Sequence, residues 1–385
     1  MVSFIKNQEL LTPLIKVPHA FAKFRIDAKK YPASLIEEIA IGQSIGAWEE
    51  QHVDPILLKT KIAKILACES NEDYHNAIVA FPIHIWQRKL SWLLAILFGK
   101  MSFYEGVQLN SVWFSPDCFD QENLMGPKYS PQMLRKLVGA NENVPLLMGI
   151  LKPNVAMSAD KIANLFVEAS EAGAHILKDD EIRHDFSPLE SIKRVEKVAN
   201  ESQKRNLKSI YAVHLQIDGT SYIDHAKKLI EAGAQAFLIN TWTSGIEALQ
   251  EIRKVTNIPI LSHPSLVGAF GLREENATIH PRVTLAQMIR AAGADLSLFP
   301  SPYGKLGLEK SIALEIANCC LIKNENWPIQ EIMPVPSAGI KPEHAPLAKK
   351  DFGNDFVLNA GTGIFSSSEG IKKSIEKFRE ELNKS

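Results

Sequence analysis

The last two thirds of the chain repeat one order of polar and apolar positions. Amphipathic segments end in a glycine-containing tetrad, and an uninterrupted apolar run follows at once. The tetrads are E-A-G-A at 171–174, E-A-G-A at 231–234 and A-A-G-A at 291–294. Because glycine commonly ends a helix and a continuous apolar run is typical of a buried strand, each unit predicts a helix followed by a strand.

Eight such apolar runs predict the strands of one parallel sheet. They cover Leu146–Lys152, His175–Asp180, Ile210–Gln216, Ala236–Thr241, Pro259–His263, Leu296–Pro300, Val335–Ile340 and Phe356–Gly361. Predicted helices lie between or after them, at Ser158–Ala172, Ser187–Asn206, Tyr222–Ala232, Leu306–Leu321 and Ser367–Leu382. Apolar strands that alternate with helices indicate a parallel sheet covered on both faces. Eight units in about 240 residues predict a (β/α)₈ TIM barrel with its active site at the carboxyl ends of the strands. A doubly wound open sheet is the alternative.

The part before the barrel has a different pattern. Ala33–Gly46 has helix-like periodicity and Asn76–His84 is strand-like, which indicates a smaller α+β domain. The Pro/Gly-containing stretch Met125–Pro131 is the best candidate for a junction. We therefore predict an amino-terminal α+β domain at residues 1–130 and a catalytic TIM barrel at residues 131–385.

The bulk composition excludes several kinds of partner. The 385 residues carry a formal net charge of -1, so no basic surface is expected to hold nucleic acid or an anionic membrane. The four cysteines have no C-x-x-C spacing, which favours free thiols over disulfides or zinc. Met1–Lys16 lacks the pattern of a secretory signal, and the apolar run Leu90–Gly99 is about half of the roughly 20 residues that cross a bilayer. We expect a cytoplasmic protein that binds a small molecule.

A lysine and three carboxylates end the second predicted strand, as Lys178-Asp179-Asp180-Glu181. Alternation along the strand puts Lys178 and Asp180 on one face and Asp179 on the other, with Glu181 just past the end. Two converging carboxylates suit Mg²⁺, which prefers oxygen ligands, whereas an ammonium cannot bind a metal. Three interpretations of Lys178 stay open on these residues alone. They are a structural ion pair, a Schiff-base lysine of an aldolase, and a carbamate formed with CO₂ that adds a third carboxylate.

Small residues end the last two predicted strands. The seventh strand ends in Pro336-Ser337-Ala338-Gly339 and the eighth in Asn359-Ala360-Gly361-Thr362-Gly363, and a helix-forming segment follows each. The loops after strands seven and eight commonly bind phosphate in these barrels, because small residues let backbone N–H groups and a helix N-terminus face the anion. These loops therefore predict a phosphate site, and ordinary tight turns are the alternative.

Taken together, the motifs resemble one known family. Lys152-Pro153, the stretch from Lys178 to Glu181, His263-Pro264, Ser337-Ala338-Gly339-Ile340 and the strand-eight glycines resemble the large subunit of RuBisCO and RuBisCO-like proteins. The likeness runs from about Ile41 to the end of the chain. It implies a ferredoxin-like α+β domain, a TIM barrel, and a homodimer whose active sites include residues of the partner's amino-terminal domain, with no small subunit. It also implies that CO₂ carbamylates Lys178, and that this carbamate, Asp180 and Glu181 bind one Mg²⁺ per subunit.

Several departures from the carboxylases argue against CO₂ fixation on ribulose bisphosphate. Asn154 stands where those enzymes have a second lysine, Pro264 where they have an arginine, and Gly42 where a glutamate faces the substrate. The strand-six region is rich in histidine and glycine in the carboxylases, but residues 296–304 here read L-S-L-F-P-S-P-Y-G.

The strings F-P-S-P-Y-G, H-P-S and F-G-K instead resemble the RuBisCO-like enolases of methionine salvage. That branch implies the Mg²⁺-dependent tautomerisation of 2,3-diketo-5-methylthiopentyl-1-phosphate to 2-hydroxy-3-keto-5-methylthiopentenyl-1-phosphate. The base would be Lys100 of F-G-K, and the apolar strand six suits a methylthio tail. The resemblance implies substrate and phosphate contacts from Lys128, Lys152, His263, Ser337, Gly339, Gly361 and Thr362.

Three residues fit this assignment less well. Lys305 stands where the mobile loop of RuBisCO carries a lysine, His214 where both groups usually have asparagine, and Thr362 where the strand-eight loop has glycine. Three other functions therefore stay open: an isomerase of 5-methylthioribulose 1-phosphate, a carboxylyase of a keto-sugar phosphate, and a Schiff-base aldolase.

Overall fold

The amino-terminal part of the chain forms an antiparallel sheet of four strands in the order β2-β3-β1-β4. The computed structural model describes residues 17–46, 56, 62–185, 187–217, 221–272, 278–304, 306–324 and 327–384. The strands are β1 (His19–Asp27), β2 (Lys64–Ser70), β3 (Tyr74–Pro82) and β4 (Val107–Phe114). Between them lie α1 (Leu35–Ile45), α2 (Ile83–Trp86), α3 (Leu90–Leu94), a π-helical turn (Ala95–Gly99) and a 3₁₀ turn (Met101–Phe103). This order of elements is the ferredoxin-like arrangement and confirms the expected α+β fold.

Eight parallel strands form the second sheet, in the order β11-β10-β9-β8-β7-β6-β5-β12. Its two end strands, β11 and β12, also lie side by side, and Asn359 Nδ2 donates to Ser337 Oγ between them at 2.8 Å. The strands are β5 (Leu146–Ile150), β6 (Ile176–Lys178), β7 (Ile210–His214), β8 (Ala236–Ile239), β9 (Ile260–Ser262), β10 (Leu296–Pro300), β11 (Met333–Ser337) and β12 (Val357–Ala360). All eight predicted strands are therefore confirmed, and the sheet curves into a barrel rather than a doubly wound open sheet.

Helices surround this barrel and cover the outer face of its strands. They are α4 (Pro131–Leu137), α5 (Ala159–Glu171), α6 (Pro188–Arg205), α7 (Tyr222–Glu231), α8 (Thr241–Ser244), α9 (Ile246–Val255), α10 (Met288–Ala292), α11 (Lys310–Leu321), α12 (Ala345–Phe352), α13 (Thr362–Phe365) and α14 (Ile371–Asn383). The five predicted helices are present, with ends that differ by a few residues. The helix closed by the tetrad at 291–294 is α10, and the helix-forming segment after the seventh strand contains α12. The sequence analysis did not identify α4, α8, α9 and α13.

The two sheets are joined through strand β4. The backbone N–H of Leu109 donates to the carbonyl of Thr278, and its own carbonyl accepts from His280, both at 2.9 Å. The Gln287 side chain accepts from the backbone of Val112 at 2.9 Å. The amino-terminal sheet is thus hydrogen-bonded to the segment that precedes β10, on the outside of the barrel. The domain boundary between residues 130 and 131 stays a prediction.

All four cysteines, Cys68, Cys118, Cys319 and Cys320, are free thiols, as expected. None of the helices within the described ranges combines the length and the apolar character that crossing a bilayer requires.

Candidate active site

The alternation of side chains along the barrel strands determines which residues reach the pocket. Ile176, Ala212 and Leu261 belong to the apolar cluster that fills the barrel interior. Side chains two positions further along a strand point to the same side. The inward-facing positions at the carboxyl ends are therefore Ile150, Lys178, His214, Asn240, His263, Pro300, Ser337 and Gly361. The interior below this level is apolar except for Asn359, and it becomes polar at the barrel mouth.

A pocket of about 280 Å³ opens at this mouth. Seven of the predicted site residues line it: Lys152, Glu181, His263, Ser337, Gly339, Gly361 and Thr362. Lys178 is fully buried and Asp180 nearly so, and each contacts a residue of the pocket wall. The structure therefore brings nine of the predicted residues together.

Two lysines face two carboxylates at the pocket. Lys152 Nζ lies 2.6 Å from Asp180 Oδ2, and Lys178 Nζ lies 3.7 Å from Glu181 Oε2. The backbone N–H of Ile182 donates to Asp180 Oδ1 at 3.3 Å, which forms a turn stabilised by that aspartate side chain. This turn directs Glu181 back toward the barrel, where its Oε2 lies 3.3 Å from His263 Nε2.

Burial and charge act against each other on these groups. Burial lowers the pKa of the Lys178 ammonium, and the nearby carboxylates only partly offset it. Burial alone would raise the pKa of Glu181, but the charges of Lys178 and Lys152 lower it overall. Burial also holds the pKa of His263 well below its usual value.

Asp179 points to the opposite side of strand β6, as its place in the alternation predicts. It is fully buried and accepts from Arg194 at 3.2 Å, from the Tyr211 hydroxyl at 2.6 Å and from Asn154 at 3.0 Å. These donors satisfy the carboxylate and lower the pKa of Asp179 although burial opposes them. Asp179 therefore supports the strand from outside, and only two of the three consecutive carboxylates reach the pocket.

The small residues after β11 and β12 form one wall of the pocket. Gly339 has a φ of 68°, which L side chains rarely adopt. A side chain at Gly361 would meet Lys152 Cε at 3.1 Å, so the absence of a Cβ keeps room for that lysine. Asn359 donates to Ser337 Oγ, which leaves the hydroxyl hydrogen of Ser337 free to donate into the pocket. Helix α13 after β12 has only four residues, so backbone N–H groups and Lys152 are the donors offered to an anion here.

Apolar residues form another wall. Leu298, Phe299 and Pro300 of strand β10 and Leu306 of the following segment line the pocket. One pocket thus combines cations and small loops with an apolar surface.

Lys128 is not at this pocket, contrary to the sequence-based expectation. Its Nζ donates to the carbonyl of Thr256 at 2.9 Å and to Asn257 Oδ1 at 2.6 Å. Both partners precede strand β9, and Lys128 itself precedes β5. The residue therefore lies at the amino ends of the strands, because parallel strands put all their amino ends on one side of the barrel.

Lys100 follows the π-helical turn of the amino-terminal domain. Its side chain is exposed, and it is not among the residues that line the pocket of its own chain. Lys305 lies outside the described residues.

The unmodified side chains do not form a complete metal site. Within the described part of the chain, no three His, Cys, Asp or Glu residues are grouped as ligands of a metal ion. Lys152, Lys178, Asp180 and Glu181 together carry a formal charge of zero. A carbamate on Lys178 would change this to -2, which matches a divalent cation, so the residues fit Mg²⁺ only with the modification.

The sequence analysis missed the part played by Ser265. The hydroxyl of Ser265 lies 2.8 Å from His263 Nδ1, on the side of the ring away from Glu181. The available signal in the sequence was the string H-P-S, which puts this serine two residues after a histidine at a strand end.

The fold and the pocket together define an α/β barrel with a cavity at the carboxyl ends of its strands, where enzymes of this fold have their active sites. The sequence profile of the ribulose bisphosphate carboxylase large chain, catalytic domain, matches residues 132–383. The chain belongs to the RuBisCO large-chain family.

Similar proteins in this family carry the names of enolases, RuBisCO-like proteins and RuBisCO itself. A protein of Exiguobacterium sibiricum named 2,3-diketo-5-methylthiopentyl-1-phosphate enolase is 33% identical over 354 residues, which is 90% of this chain and 88% of that protein. The crystal structure of a RuBisCO-like protein (MtnW) from Alicyclobacillus acidocaldarius has a TM-score of 0.81 at 27% identity and covers 94% of this chain and 92% of that one. A dimeric archaeal RuBisCO from Hyperthermus butylicus shares the fold, with a TM-score of 0.80 at 20% identity over 94% and 90% of the two chains.

Proposed function

We propose that this chain is the Mg²⁺-dependent 2,3-diketo-5-methylthiopentyl-1-phosphate enolase of methionine salvage, an isomerase that catalyses a keto–enol tautomerisation. One observation carries the proposal: a single pocket joins two carboxylates and a buried lysine to small anion-facing loops and an apolar wall. A phosphorylated diketone with a methylthio tail has a matching group for each part: the diketone for the carboxylates and the lysine, the phosphate for the loops, and the tail for the apolar wall. The name of the relative from Exiguobacterium sibiricum agrees with this assignment.

The proposed metal ligands are Asp180, Glu181 and a carbamate on Lys178 formed with CO₂. The observed pairing of Lys178 with Glu181 supports this set. A carbamate on Lys178 would put a negative charge beside Glu181 in place of the ammonium, and the two carboxylates would then require another cation. Mg²⁺ bound there supplies Lewis-acid polarisation of a neighbouring carbonyl oxygen.

The remaining residues bind the substrate and move a proton. Ser337, Gly339, Gly361 and Thr362 would hold the phosphate with hydroxyl and backbone donors, and the apolar wall would hold the tail. Lys152 and His263 would contact the diketone oxygens. Nζ of the base takes a proton from carbon 1, a double bond forms between carbons 1 and 2, and the oxygen on carbon 2 gains a proton to become a hydroxyl.

We assign the base to Lys100 of a second copy of this chain. Lys100 does not line its own pocket, and Trp92 and Phe103 nearby are 48% and 89% exposed. Large exposed apolar side chains in one segment suit a surface that another subunit covers. A homodimer with active sites shared between subunits follows from this assignment.

Carboxylation is not proposed. Asn154, which stands where the carboxylases have a lysine, donates its amide to Asp179 and brings no charge to the pocket.

The proposed function is tested by incubating the protein with the diketone phosphate, Mg²⁺ and bicarbonate. The absorbance of the enol product measures turnover. Lys100→Ala should lower kcat by roughly 10²–10⁴-fold, the usual contribution of a general base. Lys100→Arg should be equally slow because a guanidinium stays protonated. Lys161→Ala, at an exposed lysine on α5, is the control and should retain full activity. If the wild-type protein shows no turnover, the proposed substrate is wrong. If Lys100→Ala is active, the assignment of Lys100 as the base is wrong.

Mixing two inactive variants tests the shared site. Lys100→Ala and Lys178→Ala proteins are unfolded, mixed in equal amounts and refolded together. If each site combines Lys178 of one subunit with Lys100 of the other, half of the sites in every mixed dimer are intact, and about a quarter of the wild-type activity returns. If each chain uses its own Lys100, every site in the mixture lacks one lysine and no activity returns.

A further inference from the structure

Helix α9 of the barrel contacts the start of the helical segment that carries Lys100. Gln250 on α9 is 2% exposed, and its side-chain oxygen accepts from the backbone N–H of Leu90, the first residue of α3, at 3.2 Å. Its side-chain nitrogen donates to the backbone carbonyls of Arg88 at 2.6 Å and of Asn123 at 2.7 Å. All three partners are backbone groups that can act only as donor or only as acceptor, so they determine the orientation of the Gln250 amide.

Glu247, on the same helix, binds the two side chains on either side of Leu90. It accepts from the Ser91 hydroxyl at 2.6 Å and from Lys89 Nζ at 2.9 Å. Lys89, the residue before α3, makes no side-chain capping hydrogen bond. The N–H groups at the start of a helix need acceptors from elsewhere. Helix α9 therefore supplies the acceptor for Leu90 and fixes its neighbours.

The turn before α3 depends on the same contacts. Gln87 and Arg88 have φ values of 48° and 59°, in the left-handed region that L side chains rarely adopt. Such a conformation persists where the surrounding structure fixes it. The Arg88 carbonyl accepts from Gln250, and its Nε lies 2.9 Å from Asp120 Oδ2. Gln250 thus helps to set the direction in which α3 leaves this turn.

The helical segment connects these contacts to Lys100. Helix α3, the π-helical turn and the 3₁₀ turn follow one another from Leu90 to Phe103, and Leu94, Ala95 and Lys100 at their junctions are also right-handed helical. Lys100 therefore lies about 15 Å along the segment from Leu90. A tilt of about 4° at Leu90 would move Lys100 by about 1 Å, and a displacement of that size can cost a catalytic group about 100-fold in rate.

We infer that Gln250 and Glu247 are positioning residues for Lys100, acting through the helical segment from Leu90 to Phe103. The inference rests on the proposed function, in which Lys100 serves the active site of a second copy of the chain. Neither residue of α9 lines the pocket of its own chain. Helix α9 of one subunit therefore controls the rate in the active site of the other.

Mixed dimers separate this role from a general effect on folding. When Lys100→Ala and Lys178→Ala chains are mixed, each intact site has the pocket of the first chain and Lys100 of the second. Gln250→Met added to the chain that supplies Lys100 should lower kcat of the intact sites roughly 10- to 100-fold, with KM changed less than about threefold. Added to the chain that supplies the pocket, it should leave kcat unchanged, because residue 100 of that chain is already alanine. Both mixtures contain the same amount of Gln250→Met.

Gln287→Met is the matched control. Gln287 is also a buried barrel glutamine, which accepts from the backbone of Val112 at 2.9 Å and donates to Ser111 Oγ at 2.8 Å. Its partners lie on strand β4 and not on the segment that carries Lys100. Gln287→Met should therefore give equal kcat values in the two placements.

A second variant covers the case in which Gln250→Met chains do not refold. Glu247 is half-buried, and Glu247→Ala removes the acceptor for Ser91 and Lys89 without leaving a buried backbone group unpaired. It should give the same asymmetry between the two placements, at roughly threefold.

Equal kcat values in the two placements of Gln250→Met and of Glu247→Ala, with the unmodified mixture active, would overturn the inference alone. An inactive unmodified mixture from an active wild type would overturn the shared site and the inference together. A wild type without turnover would overturn the proposed function instead. Hydrogen exchange then still tests the anchoring: amides of residues 90–103 should exchange faster in Gln250→Met than in Gln287→Met, and equal rates would show that Gln250 does not hold this segment.

Discussion

At the amino ends of the barrel strands Asp295 is buried among rigid donors, whereas at the carboxyl ends Asp180 and Glu181 face lysines. Asp295 Oδ1 accepts from the backbone N–H groups of Lys128 and Tyr129, both at 2.8 Å. Its Oδ2 accepts from Arg253 at 2.7 Å and from another backbone N–H at 2.8 Å. Four donors thus saturate one carboxylate.

The difference separates a structural carboxylate from an exchangeable one. Backbone donors and a buried guanidinium cannot leave Asp295 without unfolding the local structure. The Lys152 side chain is 35% exposed and is the cation nearest Asp180, so it can move away when another cation binds. Both ends of the barrel contain acidic and basic residues, but the partner of Asp180 at the carboxyl end can change, whereas the partners of Asp295 at the amino end cannot.

The largest expected effect is at Lys178. Lys178→Ala should lower kcat/KM on the order of 10⁴-fold, because losing the carbamate removes a metal ligand and with it several kcal/mol of stabilisation of the developing charge. Carbon-13 bicarbonate should give a carbamate signal in the wild type when Mg²⁺ is present. The signal should be absent from Lys178→Ala and unchanged in Lys161→Ala. A wild-type protein that turns over substrate without a carbamate signal would contradict the proposed ligand set.

A mutation at the other end of the barrel should affect stability instead. Asp295→Ala leaves the buried Arg253 guanidinium without its carboxylate, so we expect a loss of about 3–5 kcal/mol in the free energy of unfolding, measured by urea titration. The folded fraction should keep its kcat. Asp160→Ala breaks an ion pair of similar length, 2.8 Å to Lys197, on the exposed face, and should leave the urea midpoint unchanged. Equal effects of the two mutations would show that burial does not distinguish these carboxylates.

Most of the fold was predictable because its signals are local. A continuous apolar run identifies each of the eight strands, and in three units a glycine tetrad at the end of an amphipathic helix precedes that run. Helix α9 was missed because it begins directly after the short helix α8, without an apolar run to separate the two. The inward layer at the strand ends was also predictable, since it depends only on alternation from residues such as Ile176 and Lys178.

The partners of charged residues were harder to predict, because they lie far away in sequence. Lys128 lies in the predicted junction and not at a strand end, and its partner Asn257 is 129 positions away. Similarly, the hydrogen bonds of Ser265 with His263 and Asn240 depend on the packing of two neighbouring strands. For this reason the resemblance to a family could supply Lys128 as a candidate, but only the fold could place it.

The smallest effect is expected at Lys128, and paired substitutions sharpen the comparison of the two ends. Lys128→Met removes hydrogen bonds to Thr256 and Asn257, so it should cost about 1 kcal/mol of stability and change kcat/KM less than about twofold. Lys152→Met removes a charged donor from the pocket and should lower kcat/KM roughly 10- to 100-fold, as expected for a charge-assisted hydrogen bond. The two variants remove the same charge and keep a similar side-chain length, so the difference in kcat/KM measures position alone. A large loss of activity in Lys128→Met with normal stability would mean that this lysine acts at an active site after all, and that the amino end of the barrel is more than structural.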